Sequence, residues 1–125
     1  MDEKTLINDW LSAFGKDVDK KLIEKHVISS GNLLWHLFTW GKVSCLEGDE
    51  ARNAFDNLNY SEAIKFCDGY SGHIEGISLT EKVSAAYLDN SPESDVYITA
   101  KDFSWTYVRT HEKDFCGPYF CRIIN

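Results

Sequence analysis

Nowhere in the chain do about 18 apolar residues run together, so no segment reads as a membrane-spanning helix. The N-terminus, Met1-Asp2-Glu3-Lys4, lacks a basic region followed by an apolar stretch; no signal peptide is expected, and a cytoplasmic location is. Basic residues are the scarcer charge, with 13 Lys and Arg against 20 Asp and Glu, a net −7. That balance repels nucleic-acid phosphates and anionic head groups, so nucleic acid and membrane surfaces are not expected partners, and a basic protein is favoured. The same acidity also serves simply to keep a cytosolic protein soluble. Chemical signatures are scarce as well, with no Walker loop, G-x-G-x-x-G, G-x-S-x-G or EF-hand loop. His26, His36, His73 and His111 stand in no H-E-x-x-H, and Cys45, Cys67, Cys116 and Cys121 form no C-x-x-C. Neither a metal nor a cofactor is therefore expected, and no catalytic residue is assigned. In a reducing compartment the four cysteines are free thiols; in an exported protein a Cys116–Cys121 bridge across Gly117-Pro118 is the alternative.

What is present is apolar area. At 125 residues, 43% hydrophobic and 14% aromatic, the chain can fill one core without metal or disulfide staples, and it reads as one domain, 1–125. Leu6, Ile7, Trp10, Leu11 and Phe14 recur at helical spacing, with Gly15 where the helix stops. A shorter helix with Leu22 and Ile23 inside starts from Asp17 or Asp19. The run 33–40, apolar on both alternating sets, predicts a central strand covered on two sides. A third helix opens near Asp49 as cap, with Ala51, Ala54, Phe55 and Leu58 inward. Residues 63–67 are a short strand or a helix end, and Ser78 with Glu81 has the form of a capping box for a fourth helix. From Asp95 onward alternation predicts strands at 96–98, 103–110 and 119–124, the last two joined as a hairpin ending in Gly117-Pro118. The fold expected is α+β, with N-terminal helices packed on a mainly antiparallel sheet.

Three constellations are candidates for function. Glu47, Asp49, Glu50, Asp56, Glu62 and Asp68 face only Arg52 and Lys65, a local net charge of −4, and are interleaved with aromatics that include Tyr70. Such a stretch is either a solvated face or an interface where aromatics anchor and acids steer a cationic partner. Glu47, Asp49, Glu50, Asp56, Asp68 and Tyr70 are the partner-binding candidates. The second constellation is a pocket lined by Trp35, His36, Trp105 and His111, in which two imidazoles would meet polar groups. His36 is otherwise a neutral core histidine. The third is His111-Glu112, either an acid–base pair or a hairpin turn fixed by His111 with Glu112 exposed; adjacent strand residues share a site only if the strand has already ended.

Leu34-Trp35-His36-Leu37-Phe38, the segment from Cys45-Leu46-Glu47 to Ala51-Arg52, the segment from Trp105 to Glu112, and Gly117-Pro118-Tyr119-Phe120 together resemble a family of small bacterial proteins classed as a domain of unknown function. The resemblance runs from about residue 33 to the C-terminus, implies a stand-alone cytoplasmic bacterial domain, and carries no activity onto these positions. In size and charge alone the chain is similar to immunity proteins of bacterial toxin systems, small acidic domains that mask a basic nuclease toxin. The expectation is an inhibitor of that kind, a monomer or weak dimer, rather than an enzyme. The rivals are a small enzyme or ligand-binding domain built on the aromatic–histidine pocket, and an oligomer subunit burying its aromatic surplus against itself.

Overall fold

Leu6, Trp10 and Phe14 recur every fourth position, so one side of a helix is continuously apolar and must be covered. In the computed structural model, which describes residues 3–25, 34–39, 43–68, 76–112 and 115–123, this helix is α1 (Glu3–Phe14), with those three side chains buried. It stops at Gly15, whose N–H closes on the Leu11 carbonyl at 2.8 Å. A Cβ there would meet that same carbonyl at 2.9 Å and Leu37 at 3.3 Å, so a side chain would push the chain off its neighbours. Asp19 caps α2 (Lys20–Ile23) by accepting the Lys21 N–H at 2.8 Å.

The strand expected over 33–40 is not formed. Leu34–Phe38 is a 3-10 helix, here η1, with Leu34, Trp35, Leu37 and Phe38 buried and His36 half-buried. A run apolar on every side carries no period, and tertiary packing decides its shape. Here the Trp35 N–H donates to the Tyr97 hydroxyl at 2.9 Å instead of to a ladder, and Thr39 closes the turn on the His36 carbonyl.

Next come β1 (Leu46–Glu47), α3 (Asp49–Asn57), β2 (Ala63–Asp68), β3 (Ile77–Leu79), α4 (Ala85–Asp89), β4 (Asp95–Thr99), β5 (Trp105–Arg109) and β6 (Tyr119–Arg122). The strands form one antiparallel sheet in the order β1-β6-β5-β4-β2-β3, so the fold is α+β. Two local expectations shift by a few residues. The cap of α3 is Gly48, at φ +67°, with no side-chain bond, and Asp49 is already helical, where its charge suits the positive end of the dipole. Ser78 lies in β3 opposite Ile64, while Ser84 caps α4 by accepting the Tyr87 N–H at 3.1 Å. A capping box is a coincidence of two residue types until a helix follows it, and Ile77 and Leu79 pair with β2 instead.

Helices cover both faces of the sheet. Ile64, Phe66, Tyr97, Val108, Tyr119 and Cys121 pack with α1, α2 and η1, while Ala63, Val96, Ile98, Trp105, Tyr107 and Phe120 pack with α3 and α4. Buried polar groups are tied across this frame: Trp10 Nε1 donates to Thr106 Oγ1 at 3.1 Å, which lies 2.9 Å from Thr99 Oγ1.

On the edge of the α4 side, Glu93 receives Lys65 Nζ at 2.7 Å, the Cys67 thiol at 2.9 Å and the Ser91 hydroxyl at 2.9 Å. Burial pushes its carboxyl up, but these donors together outweigh it and hold it at about 2, below the usual 4.5. A depressed folded value stabilises above the unfolded value and loses that contribution as pH falls from about 4.5 toward 2. Because a third of the side chain is exposed, solvent screening leaves a contribution of about 1 kcal/mol. Glu93→Gln should therefore flatten the loss of urea stability between pH 6 and pH 3; an unchanged pH slope would show that Glu93 does not carry it.

Candidate functional site

β5 ends at Arg109, so Thr110, His111 and Glu112 belong to a turn and strand parity no longer separates them. Asp95, the first residue of β4, is only 1% exposed and points to the α1 side of the sheet, as Tyr97 does. Its Oδ1 accepts the His111 backbone N–H at 2.7 Å and lies 2.9 Å from His111 Nδ1. The oxygen already serves as an acceptor, so Nδ1 carries a proton and Nε2 is the outward nitrogen of a ring 40% exposed. Thr110 Oγ1 accepts the Glu112 N–H at 3.2 Å and donates to the Cys116 carbonyl, which locks the same turn. His111 thus fixes the hairpin, with Glu112 exposed.

Three of the four expected pocket residues meet here. The Trp35 ring lies 4.1 Å from His36 and 5.8 Å, nearly edge-on, from His111. Burial draws His36 below its ordinary value; Glu112 and Asp95 oppose that pull and His111 adds to it. Trp35 Nε1 is buried and has no hydrogen-bond partner among the described residues. Trp105 is elsewhere. Strand parity sends it to the opposite face, against Tyr60 at 5.1 Å and Phe120 at 6.2 Å, so it does not join the other three. Among the described residues no group of His, Cys, Asp and Glu is arranged to hold a metal ion.

The acidic stretch is only partly free. Asp49 pairs with Arg52 at 2.9 Å, and Arg52 also reaches Asp89 at 3.0 Å. Asp56 accepts the Ala85 N–H at 2.8 Å, and Glu62 pairs with Lys101 at 3.4 Å. Asp68 ends β2 opposite Asp95; its side chain and Tyr70 lie outside the described residues. Glu47 and Glu50 are exposed and have no ion-pair partner among the described residues, Glu47 accepting only the Gly117 N–H at 3.3 Å. Glu47 thus reaches the segment that leads into β6, where the Glu112 carbonyl accepts the Phe115 N–H at 2.7 Å and the Cys116 N–H at 2.6 Å; after burial, Glu112 and Glu47 both push the Cys116 thiol up. Phe115, on that segment, is 87% exposed. Leu46, on β1, is exposed as well.

Asp95 and Phe115 are not among the candidates offered by the sequence. Asp95 had a signal, an acid opening an otherwise apolar strand; Phe115 had none, since its exposure is a tertiary fact.

A family model described as a domain of unknown function (DUF4275) matches residues 4–120. The chain belongs to the DUF4275 family. The match takes in α1 and α2, so the family's domain begins well before residue 33, where the resembling segments start. Neither the comparison with curated proteins nor that with solved structures finds a match. Among the described residues, no helix of this DUF4275 domain is long and apolar enough to cross a membrane.

Proposed function

We propose that this DUF4275 domain is a binding protein for a basic protein partner, and that it acts as an immunity-type inhibitor by occupying the cationic cleft of a nuclease-type toxin. The observation that carries the reading is Phe115, 87% exposed on the segment that leads into β6, where its N–H donates to the Glu112 carbonyl at 2.7 Å and the Glu47 carboxylate accepts the nearby Gly117 N–H at 3.3 Å. An exposed aromatic is the kind of side chain that anchors an interface, and unpaired carboxylates around it raise the encounter rate with a cation. The interface is narrower than the whole 47–68 stretch, because Asp49, Asp56 and Glu62 are held by Arg52, by Ala85 and by Lys101.

The test is binding to a basic nuclease-type toxin domain encoded beside this gene, followed by surface-based kinetics. Glu47→Lys with Glu50→Lys should slow association about tenfold at low salt, with the difference shrinking as salt rises. Phe115→Ala should instead speed dissociation, weakening affinity about 30-fold. Affinity indifferent to salt and to all three substitutions would end this reading.

A second reading, a small-ligand or proton-transfer site, is favoured by Trp35 packing against both His36 and His111 while Asp95 holds His111. There an imidazole oriented by a carboxylate at Nδ1 would act as the base through Nε2. Its check is acylation by diethyl pyrocarbonate: His111 should react faster than a peptide histidine, and Asp95→Asn should remove the excess.

A further inference from the structure

β1 and β6 run antiparallel, with Leu46 opposite Phe120 and Glu47 opposite Tyr119. The Gly48 N–H donates to the Pro118 carbonyl at 2.9 Å. That bond makes Gly48/Pro118 and Leu46/Phe120 the hydrogen-bonded rungs of the ladder, and Glu47/Tyr119 a non-hydrogen-bonded one. Carried one residue past the start of β1, the same register brings Cys45, which is outside the ladder, to face Cys121 in a position of the second kind. Opposed α-carbons on such a rung are about 4.5 Å apart, inside the span of about 4.4–6.8 Å that a disulfide bridges. Both residues pack on the α1 side of the sheet, and the Cys121 thiol donates at 3.6 Å to the carbonyl of Ser44, the residue before Cys45. Cys45 and Cys121 are free thiols in this structure.

We infer that Cys45 and Cys121 form an oxidative modification site, a cross-strand dithiol that small-molecule disulfides of the glutathione class close into a disulfide. Cys45, half-exposed, reacts first, since Cys121 is buried. Its thiolate attacks one sulfur of oxidised glutathione and expels a glutathione thiolate, leaving a mixed disulfide on Cys45. The Cys121 thiolate then attacks the Cys45 sulfur and expels the second glutathione. The two cysteine protons end on the two glutathione thiols, so two cysteines are oxidised and one glutathione disulfide is reduced.

Burial, with Cys121 and Glu47 adding to it, pushes the Cys45 thiol up to about 11, and burial does the same for Cys121. Thiolate is scarce at neutral pH, so closure is slow there and quickens about tenfold per pH unit up to about pH 10. The bond would tie β1 to β6 just ahead of Gly48 and α3. The inference is independent of the partner reading.

The test treats the full-length protein with oxidised glutathione at pH 9 and at pH 7 and follows intact mass. The expected product has lost two hydrogens, forms faster at pH 9, and carries no glutathione. Cys116→Ser and Cys67→Ser should close like the wild type, while Cys45→Ser and Cys121→Ser should not close. A disulfide that survives in Cys45→Ser or Cys121→Ser, one lost in Cys116→Ser, or a wild type that stays reduced or glutathionylated while circular dichroism shows it folded, would overturn the assignment.

Discussion

Trp10→Ala should lower the unfolding free energy by about 3–5 kcal/mol. Trp10 is fully buried, and its ring packs against Phe14 at 5.3 Å, Phe38 at 5.6 Å and, edge-on, Tyr97 at 5.6 Å. It therefore joins α1, η1 and the sheet in one contact. Truncation removes that apolar surface from the core and leaves a void that three aromatic neighbours on three different elements cannot close together. It also deprives Thr106 Oγ1 of the indole N–H, although Thr99 remains its partner. Trp10→Phe keeps most of the volume and loses the donor, so its cost should be about 1–2 kcal/mol. Denaturant titration of the three proteins separates the terms, and a loss below about 1 kcal/mol for the alanine variant would contradict this account of the core. Because Phe38 belongs to the element that carries Trp35 and His36, the alanine variant should also shift the imidazole resonance of His36.

How much could be read in advance follows from the period each segment carries. Leu6, Trp10 and Phe14 keep a helical interval and Asp95 to Thr110 an alternating one, so α1, β4 and β5 were legible. Residues 34–38 bury four of five side chains and keep neither interval, so nothing local distinguished a covered strand from a 3-10 turn. The site followed the same logic. His36 stands among aromatics in the sequence and so is legible as a site candidate, but nothing in the sequence separates Trp105 from His111. Parity within β5 puts Trp105 on the side of Arg109, and only the packing of η1 under Tyr97 reveals that Trp35 is on the other side. Asp95, sixteen residues from His111 in sequence, was visible only as one acid among several. Charge was legible as a sum and not as a surface: Asp49 and Glu62 are answered by Arg52 and Lys101, whereas Glu47 reaches the Gly117 N–H two residues from Phe115, an exposed aromatic that no pattern marks.

Arg109→Ala should cost about as much as the loss of Trp10, for an electrostatic reason. Arg109 is 3% exposed, and its guanidinium faces backbone rather than a carboxylate. Nε donates to the Leu88 carbonyl at 2.9 Å, Nη1 to Ser94 at 2.7 Å, and Nη2 to Glu93 at 2.7 Å and Ser91 at 3.5 Å. One side chain thus answers the carbonyls at the C-terminal end of α4 and along the loop into β4. Cations are favoured at that end of a helix, and a planar fork reaches several acceptors that a single ammonium cannot. Alanine leaves these oxygens in a partly dry site without donors, at about 1–3 kcal/mol for each that water fails to reach, or about 3–5 kcal/mol in all. Arg109→Lys keeps the charge but loses the fork, so it should recover less than half of that loss. The same loop delivers Asp95 to His111, so the alanine variant should also expose the His111 amide, which donates to Asp95, to rapid hydrogen exchange. Slow exchange at His111 in a destabilised variant would separate the Arg109 staple from the Asp95–His111 turn, and would leave the candidate site standing without it.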